Sequence, residues 1–219
     1  MSVSKNDKSP GPDGIPMEVY KALFDVLGSD LLRVIKDSRC SGKIPVVFNT
    51  TFISLIPKTN CPKSFDDFKP ISLCNFVYKI IGKIISTRIK KILGRFISKE
   101  QFGFLRGRQI HEAVGIIQEG LHSIHVKALK SVVLKIDLSK AYDRVNWIFL
   151  RVIMTKMGFY VSFITWVMSS ISSVSFVVLI NGVASNFFRS GRGLRQGFPL
   201  APLLFLIVVE GLSRYILYA

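Results

Sequence analysis

The sequence predicts an α+β domain, and three observations lead to that fold class. Apolar residues recur at helical spacing in several stretches, of which residues 76–96 are the longest. Short runs rich in β-branched and aromatic residues, such as residues 52–56, have the composition of strands. Asn181-Gly182 lies between two such runs and indicates a β-hairpin, because both residues accept positive φ. With 219 residues and 49% hydrophobic content, the chain can bury one sizeable core.

The first 96 residues are predicted to contain two helices and a strand. Residues 8–16 are rich in Pro and Gly and form an extended lead-in. Residues 17–35 have apolar side chains on one helical face. Residues 52–56 follow as a strand and residues 57–62 as a turn. Residues 76–96 are a basic amphipathic helix with an apolar stripe formed by Ile80, Ile84, Ile85, Ile89 and Ile92.

The second half is predicted to begin with a helix over residues 109–125. Residues 131–137 are apolar and β-branched around one Lys, which predicts a buried strand. Asp137 then stands where that strand reaches solvent. A further helix is predicted after Asp143, and Gly158 is suited to close it.

A long uncharged stretch runs from Tyr160 to Phe188 and is long enough to span a bilayer. Five serines and the Asn-Gly turn interrupt it, so we interpret it as a helix, a Ser-rich link and a hairpin. The apolar run 200–209 contains Pro202 and is too short to span. The polar N-terminus lacks the apolar stretch of a secretory signal. We therefore expect no membrane segment.

Basic residues exceed acidic ones by 30 to 14, giving a net charge of +16. This excess predicts attraction to a polyanion, either nucleic acid or an anionic membrane surface, although a basic but inert surface remains an alternative. Between Lys79 and Arg108 the one acidic residue is Glu100, a bias that favours a surface following a phosphate backbone. The candidate nucleic-acid contacts are Lys83, Arg88, Lys90, Lys91, Arg106 and Arg108.

The cysteines and histidines do not indicate a metal or disulfide framework. The three cysteines have no CxxC spacing, which is typical of buried or idle thiols in a reducing compartment. His122 and His125 have a possible metal spacing but no third ligand nearby, so ordinary surface histidines are the better interpretation.

Three blocks together suggest phosphoryl or nucleotidyl transfer on nucleic acid. Asp137 offers Mg²⁺ the hard oxygen ligand it prefers. Residues 191–202 combine glycines, which allow close backbone approach, with donors from Arg195 and Gln196. Lys58 and Lys69 bracket a polar loop that can close over a triphosphate. No block is decisive alone, because a strand-end Asp is often a helix cap and Gly-rich Arg loops are common.

Taken in order, these blocks resemble the reverse transcriptase domain of non-LTR (LINE-type) retrotransposons, most closely plant copies. The matching segments are SPGPDGIPMEVYK, FISLIPKTNCPKSFDDFKPISLCNFVYKIIGKIISTRIKKIL, QFGFLRGRQIHEAV, VVLKIDLSKAYDRVNW, the INGV hairpin and GLRQGFPLAPLLF. The resemblance implies RNA-templated DNA synthesis and a right-hand polymerase fold with fingers and a partial palm. It places the fingers at roughly 1–95 and 146–192 and the palm at roughly 96–145 and 193–219, with the thumb and catalytic hairpin missing.

The resemblance also implies roles for individual residues and their partners. Asp137 would be the first ligand of the two Mg²⁺ ions, and Tyr142 would stack under the incoming sugar and exclude a ribose 2′-OH. Lys58 and Lys69 would contact the triphosphate. The residues that would position the template and the nucleotide base are Arg195, Gln196, Gly197 and Pro199. The implied partners are an RNA template, a DNA primer and deoxynucleoside triphosphates, and the implied compartment is the nucleus.

The chain departs from the family pattern at several positions. No Ala-Asp-Asp block follows Asp143, and Glu210, within an apolar helix-like run, is not a replacement ligand. Lys69 stands where the family has Arg, while Phe198 and Ala201 stand where it has Asp and Ser. We therefore expect little or no polymerase activity from the chain as given. The alternatives are a non-catalytic nucleic-acid-binding remnant and an unstable pseudogene product.

Overall fold

Helices and strands alternate irregularly along the chain in the computed structural model, which describes residues 9–105 and 107–218. Two short 3₁₀ turns lie at Val46–Asn49 and Phe65–Asp67. The helices are α1 (Met17–Ala22), α2 (Phe24–Ser41), α3 (Phe76–Leu93), α4 (Ile110–Val126), α5 (Trp147–Lys156), α6 (Val161–Ser172) and α7 (Ala201–Tyr218). The strands are β1 (Thr50–Pro57), β2 (Phe68–Cys74), β3 (Ser175–Ile180) and β4 (Val183–Ala184).

The strands form one sheet in the order β2-β1-β3-β4. β1 pairs with β2 in an antiparallel hairpin and with β3 in parallel, so more than one hundred residues intervene between these parallel neighbours. β3 and β4 form the predicted Asn-Gly hairpin. Asn181 and Gly182 have φ of 51° and 81°, which matches a turn with two left-handed residues.

The core lies where α3, α6 and α7 meet, with α5 packed on α6 and α7. Along α3 the fully buried face contains Ile81, Ile85, Ile89 and Leu93, whereas Ile80, Ile84 and Ile92 are half-buried. The predicted helix is confirmed, but three of the five predicted members of its apolar stripe lie one position away from the fully buried face. Both sets have helical spacing, and the neighbouring helices decide which of them is buried.

Most other predicted helices are present, with small changes at their ends. The helix predicted over residues 17–35 is interrupted at Leu23, where α1 ends and α2 begins. α5 begins as expected after Asp143, because the Asn146 side chain accepts from the backbone N–H groups of Ile148 and Phe149 at 2.8 and 3.1 Å. Gly158, with φ of 79°, follows its end. Among the residues that the structure describes, no helix is both long and apolar enough to cross a membrane.

The predicted strand over residues 131–137 is wrong in this structure. The segment has no regular secondary structure, and Val132 is 94% exposed. Strand propensity belongs to the side chains, but a strand also needs a neighbour that pairs with its backbone groups, and no described segment does so here. The preceding α4 likewise contains no buried residue. Residues 110–138 therefore present an apolar surface that the rest of the described chain does not cover.

Phe198 fills a notch created by Gly82 in α3. A Cβ at Gly82 would collide with the ring atoms of Phe198, which is buried. The same ring stacks on Tyr78, with centroids 4.5 Å apart. This packing gives a structural role to the aromatic residue that stands where the family pattern has Asp.

The carboxylate of Glu210 joins α7 to the turn that follows α3. Glu210 is 3% exposed, and its Oε2 accepts from the backbone N–H and the hydroxyl of Ser98 at 3.0 and 2.8 Å. Its Oε1 pairs with Arg214 Nε at 2.7 Å, and Arg214 Nη2 also donates to Phe96 O at 2.8 Å. Burial opposes ionisation of Glu210, but the bonds from Ser98 and the charge of Arg214 outweigh it and lower its pKa.

We expect Gly82→Ala to reduce the free energy of unfolding by about 1–3 kcal/mol, since the new methyl group would meet the Phe198 ring. Phe198→Leu should relieve part of this loss, so the double variant should lose less than the sum of the singles. Chemical denaturation of all four proteins tests the coupling. Gly94→Ala is the control, because a Cβ there meets open space in a right-handed helical backbone; additive losses would contradict the notch.

Glu210→Gln should destabilise the fold by about 1–3 kcal/mol at pH 7, because it removes a buried charged acceptor. A carboxyl whose folded pKa is lowered stabilises the fold fully above its unfolded pKa of about 4.3, and this contribution disappears as pH falls through the folded value. The difference between wild type and variant should therefore shrink below about pH 4.

Urea midpoints of the wild type and Glu210→Gln, measured from pH 7 to below about pH 4, test this prediction. Asp30→Asn is the control: it removes an exposed ion pair with Arg33 and should change the urea midpoint little at neutral or acidic pH. A Glu210→Gln difference that persists unchanged at acidic pH would exclude the ionised carboxylate as its source.

Candidate functional site

The Gly-rich segment 191–200 is fastened to the loop that carries Tyr142. Gly193 N–H donates to Val145 O, and Leu194 N–H donates to Tyr142 O, both at 2.8 Å. The indole N–H of Trp147 donates to Gly193 O at 2.8 Å. A Cβ at Gly193, whose φ is 92°, would lie 2.9 Å from Asp143 O, so glycine is required for this approach. These contacts hold two sequence blocks together that are about fifty residues apart.

The same segment also contacts β2 and borders a cavity of about 220 Å³. Ser72 N–H donates to Gln196 O at 3.3 Å. Pro70 and Ser72 of β2 form one wall of the cavity, and Asp143 and Gln196 contribute to others. Gly197, one of the predicted site residues, follows Gln196 and has a φ of 94°. A Cβ added at this position would lie 3.5 Å from the carbonyl oxygen of Ser72. The Gly-rich block, β2 through Pro70 and Ser72, and the Tyr142 loop through Asp143 thus meet at one cavity, although Lys69 and Tyr142 themselves are not among its lining residues.

Tyr142 is held in place by α7. Its ring stacks on Phe205 with centroids 4.9 Å apart and an interplanar angle of 17°. Burial raises the pKa of the Tyr142 phenol, so the ring is neutral at physiological pH. Packing therefore fixes the position of the Tyr142 ring. A side chain that selects a ligand by its shape needs such a fixed position.

Lys58 and Lys69 lie at the same end of the β1–β2 hairpin. Lys58 directly follows β1, and Lys69 pairs with Ile56 in the register of the two strands. The Lys58 ammonium donates to Asp66 O at 2.8 Å, so this side chain also fixes the turn at the hairpin tip. Lys69 is exposed. Lys58 is exposed as well. Both predicted triphosphate contacts are thus presented to solvent, and Lys58 in addition bonds the turn.

A salt bridge joins the hairpin tip to the segment that carries Asp137. Lys140 Nζ lies 2.7 Å from Asp66 Oδ1. The hydrogen bond and charge of Lys140 lower the pKa of Asp66, which keeps the pair ionised at neutral pH. Asp137 is three residues from Lys140 and so lies within about 11 Å of it along the chain. Sequence reasoning missed this contact, because no local pattern links residues 74 positions apart.

Asp137 is an exposed carboxylate on the unpaired segment 131–137. Within the described ranges, no group of three or more His, Cys, Asp or Glu residues is arranged to hold a metal ion. Mg²⁺ usually takes one or two protein carboxylates and completes its shell with water and phosphate oxygens. Asp137 therefore suits one such bond, but the described residues do not form the ligand set for two ions.

Arg195 is 7% exposed and does not reach into open solvent. Its guanidinium donates to Thr51 Oγ1 at 3.1 Å, to Ser170 O at 2.7 Å and to the Tyr78 hydroxyl. The central carbon of the guanidinium, Cζ, lies 4.1 Å from the centroid of the Tyr78 ring. Burial lowers the pKa of Arg195 to about 10, which leaves it charged at neutral pH. The structure thus gives Arg195 an anchoring position behind the cavity, while direct contact with a nucleotide stays a prediction.

The predicted basic residues on α3 are exposed to solvent. Arg108, which lies beyond α3, differs from them. The exposed members are Lys83, Arg88, Lys90 and Lys91. Arg108 is half-buried, and its guanidinium donates to the carbonyls of Ser98, Gln101 (2.6 Å) and Ile97 (3.2 Å). Its terminal nitrogens thus bond the chain itself and give Arg108 a structural role, while its contact with nucleic acid stays a prediction. Arg106 lies outside the described residues.

Residues 56–218 match the family described as reverse transcriptase (RNA-dependent DNA polymerase). The chain belongs to the reverse transcriptase family. The match confirms the resemblance to a reverse transcriptase, and it runs from the end of β1 through α7.

Three relatives place this reverse transcriptase domain among proteins of transposable elements. A transposon TX1 uncharacterized 149 kDa protein of Xenopus laevis is 32% identical over 205 residues, covering 94% of this chain and 16% of the relative. A retrovirus-related Pol polyprotein from the type-2 retrotransposable element R2DM of Drosophila melanogaster is 27% identical, with coverages of 94% and 19%. The RNA-directed DNA polymerase from mobile element jockey of the same fly is 26% identical, with coverages of 95% and 23%. The chain spans less than a quarter of each relative.

Arg195→Lys should lower the free energy of unfolding by about 2–4 kcal/mol, because an ammonium group cannot reach the three acceptors that the guanidinium serves. Arg192→Lys is the matched control, since Arg192 borders the same cavity but is exposed. Urea denaturation of both variants checks the difference. Equal stability of the two variants would mean that Arg195 does not anchor the segment.

Proposed function

We propose that this chain is the nucleotide-binding part of an RNA-directed DNA polymerase encoded by a plant-type LINE retrotransposon. The observation that carries the proposal is the joining of three family blocks at one cavity: the Lys69 strand, the Tyr142 loop and the Gly-rich segment. The family match over residues 56–218 supports the same activity. The plant-type assignment rests only on the resemblance of the sequence blocks to plant copies.

The proposal assigns the parts of a right hand to the structure. The β1–β2 hairpin and α3 belong to the fingers, which take residues 1–95 and 146–192. The segment with Asp137 and Tyr142 belongs to the palm, together with residues 96–130 and 193–219. The Lys140–Asp66 salt bridge supports this division, because it is the direct contact between the hairpin tip and the Asp137 segment.

Each candidate residue then has a role that its position allows. Lys69, exposed at the hairpin, neutralises the triphosphate. Tyr142, fixed by Phe205, limits the space beside the sugar. Gln196 faces the cavity, with Gly197 allowing close approach of the backbone. In the family, two Mg²⁺ ions would stabilise the attacking and leaving oxygens, and on this chain Asp137 would supply one carboxylate bond to such an ion.

The second candidate function is a non-catalytic nucleic-acid-binding remnant. It is favoured by the exposed basic surface on α3 and by the single carboxylate at Asp137. Both candidates require binding to RNA–DNA duplexes that weakens steeply with salt. They differ in nucleotide incorporation. The uncovered apolar surface of residues 110–138 favours the third alternative, an unstable product, against which a cooperative unfolding transition would count.

The 219-residue chain, given an RNA template and DNA primer, should crosslink an azido-dTTP photoprobe, and Lys69→Gln should reduce labelling about fivefold. This corresponds to the loss of about 1 kcal/mol from one exposed charge facing the triphosphate. Primer extension by the same chain should not exceed that of Asp137→Asn, since one carboxylate does not hold two ions. Gel analysis of labelled protein and extended primer provides both readouts.

Lys63→Gln is the matched control, because Lys63 is exposed near the same hairpin tip and loses the same charge. Equal loss of labelling in both variants would refute the specific role of Lys69. Absence of template-dependent labelling would refute the nucleotide site and leave the binding remnant. Extension that Asp137→Asn abolishes would overturn the expected inactivity.

A further inference from the structure

A second concave surface lies away from the cavity beside the Gly-rich segment. It is a groove of about 410 Å³ between α2, the C-terminal half of α3 and the α5–α6 link. We call it the aromatic groove because of its lining side chains, which include Phe96, Phe159, Tyr160, Phe163 and Trp166. It shares no lining residue with the first cavity. Of its lining residues, Arg88 alone was given a role above, as a candidate nucleic-acid contact.

The rings of the aromatic groove are held in a fixed order. Phe159 and Phe163 stack with centroids 5.8 Å apart and an interplanar angle of 12°. Trp166 meets Phe163 edge-on and is anchored by its indole N–H, which donates to Ser38 Oγ at 2.8 Å. Tyr160, in contrast, is 85% exposed. A packed aromatic base with one exposed ring provides a surface on which flat, apolar groups stack.

The charges around the aromatic groove are positive. Arg39 and Arg88 line it, and the Arg88 guanidinium lies 5.7 Å from the Trp166 ring centroid. Lys91 follows Arg88 by three residues, so it lies on the same side of α3. No Asp or Glu is among the described residues that line the groove. Its ligand should therefore combine flat faces with negative charge.

We propose that the aromatic groove binds an unpaired stretch of RNA. Bases stack on the exposed ring of Tyr160 and beside Phe163, while phosphates pair with Arg39 and Arg88. A duplex does not satisfy this site, because its base faces are already stacked on one another. The choice of RNA over DNA rests on the proposed polymerase function, whose template is RNA. The binding itself goes beyond that function, since it requires neither nucleotide nor metal.

The test measures fluorescence anisotropy of a fluorescein-labelled 12-nucleotide oligouridylate with the 219-residue chain, without nucleotide or Mg²⁺. Tyr160→Ala should weaken binding about 5- to 50-fold, within the range for the loss of one stacked base. Val161→Ala is the matched control, because Val161 is the next residue, is 76% exposed and does not line the groove. It should change affinity less than about twofold.

The charge contribution is tested in the same assay. Arg88→Gln should weaken binding more than Lys90→Gln, which removes one exposed positive charge from α3 outside the groove. Both pairs of variants alter exposed side chains, and circular dichroism melting should verify unchanged folding. A wild-type affinity that falls as salt rises supports phosphate contacts.

Several results would overturn the proposal. They are equal effects of Tyr160→Ala and Val161→Ala, equal effects of Arg88→Gln and Lys90→Gln, equally tight binding of duplex RNA, and tighter binding of the matching oligodeoxyuridylate. A Phe- and Glu-containing peptide that displaces the RNA from wild type, and depends on Tyr160, would make the groove a protein-docking site. Azido-dTTP labelling should be unchanged in Tyr160→Ala, so failure here remains distinct from failure of the nucleotide site.

Discussion

The buried guanidinium of Arg195 is the interaction on which the site depends. It reaches β1 through Thr51, α3 through Tyr78 and α6 through Ser170, and so fixes one point of the Gly-rich segment to three elements. Moving a cation out of water without a carboxylate partner is unfavourable by several kcal/mol. Here oxygen acceptors and the faces of Tyr78 and Phe198 offset that penalty. The backbone of Gln196 is therefore positioned by the protein interior and not by its own loop.

Sequence reasoning succeeded where the determining contacts are local. The Asn181-Gly182 turn, the helix cap at Asn146 and the amphipathic stretch that became α3 are each defined within a few residues. The strand predicted over residues 131–137 failed because pairing needs a distant neighbour, which composition does not reveal.

For the candidate site, the sequence identified the blocks but not the environments of their side chains. An Arg between glycines suggests an exposed donor, yet Arg195 is buried by residues up to 144 positions away. Arg108 was assigned to nucleic acid by its position in a basic run, and it bonds the backbone of the preceding turn instead. The fate of a charged side chain depends on its neighbours in space, and these were visible only in the fold.

The pairing of Gly82 with Phe198 restricts the order in which substitutions can accumulate in this lineage. A bulky aromatic at position 198 is compatible with α3 only if position 82 already lacks a Cβ. A glycine at 82, once Phe198 is present, cannot be replaced without disturbing the ring that covers Tyr78 and Arg195. The two positions are therefore coupled: a smaller side chain at 198 would leave a void beside Gly82, and a larger one at 82 would displace the Phe198 ring.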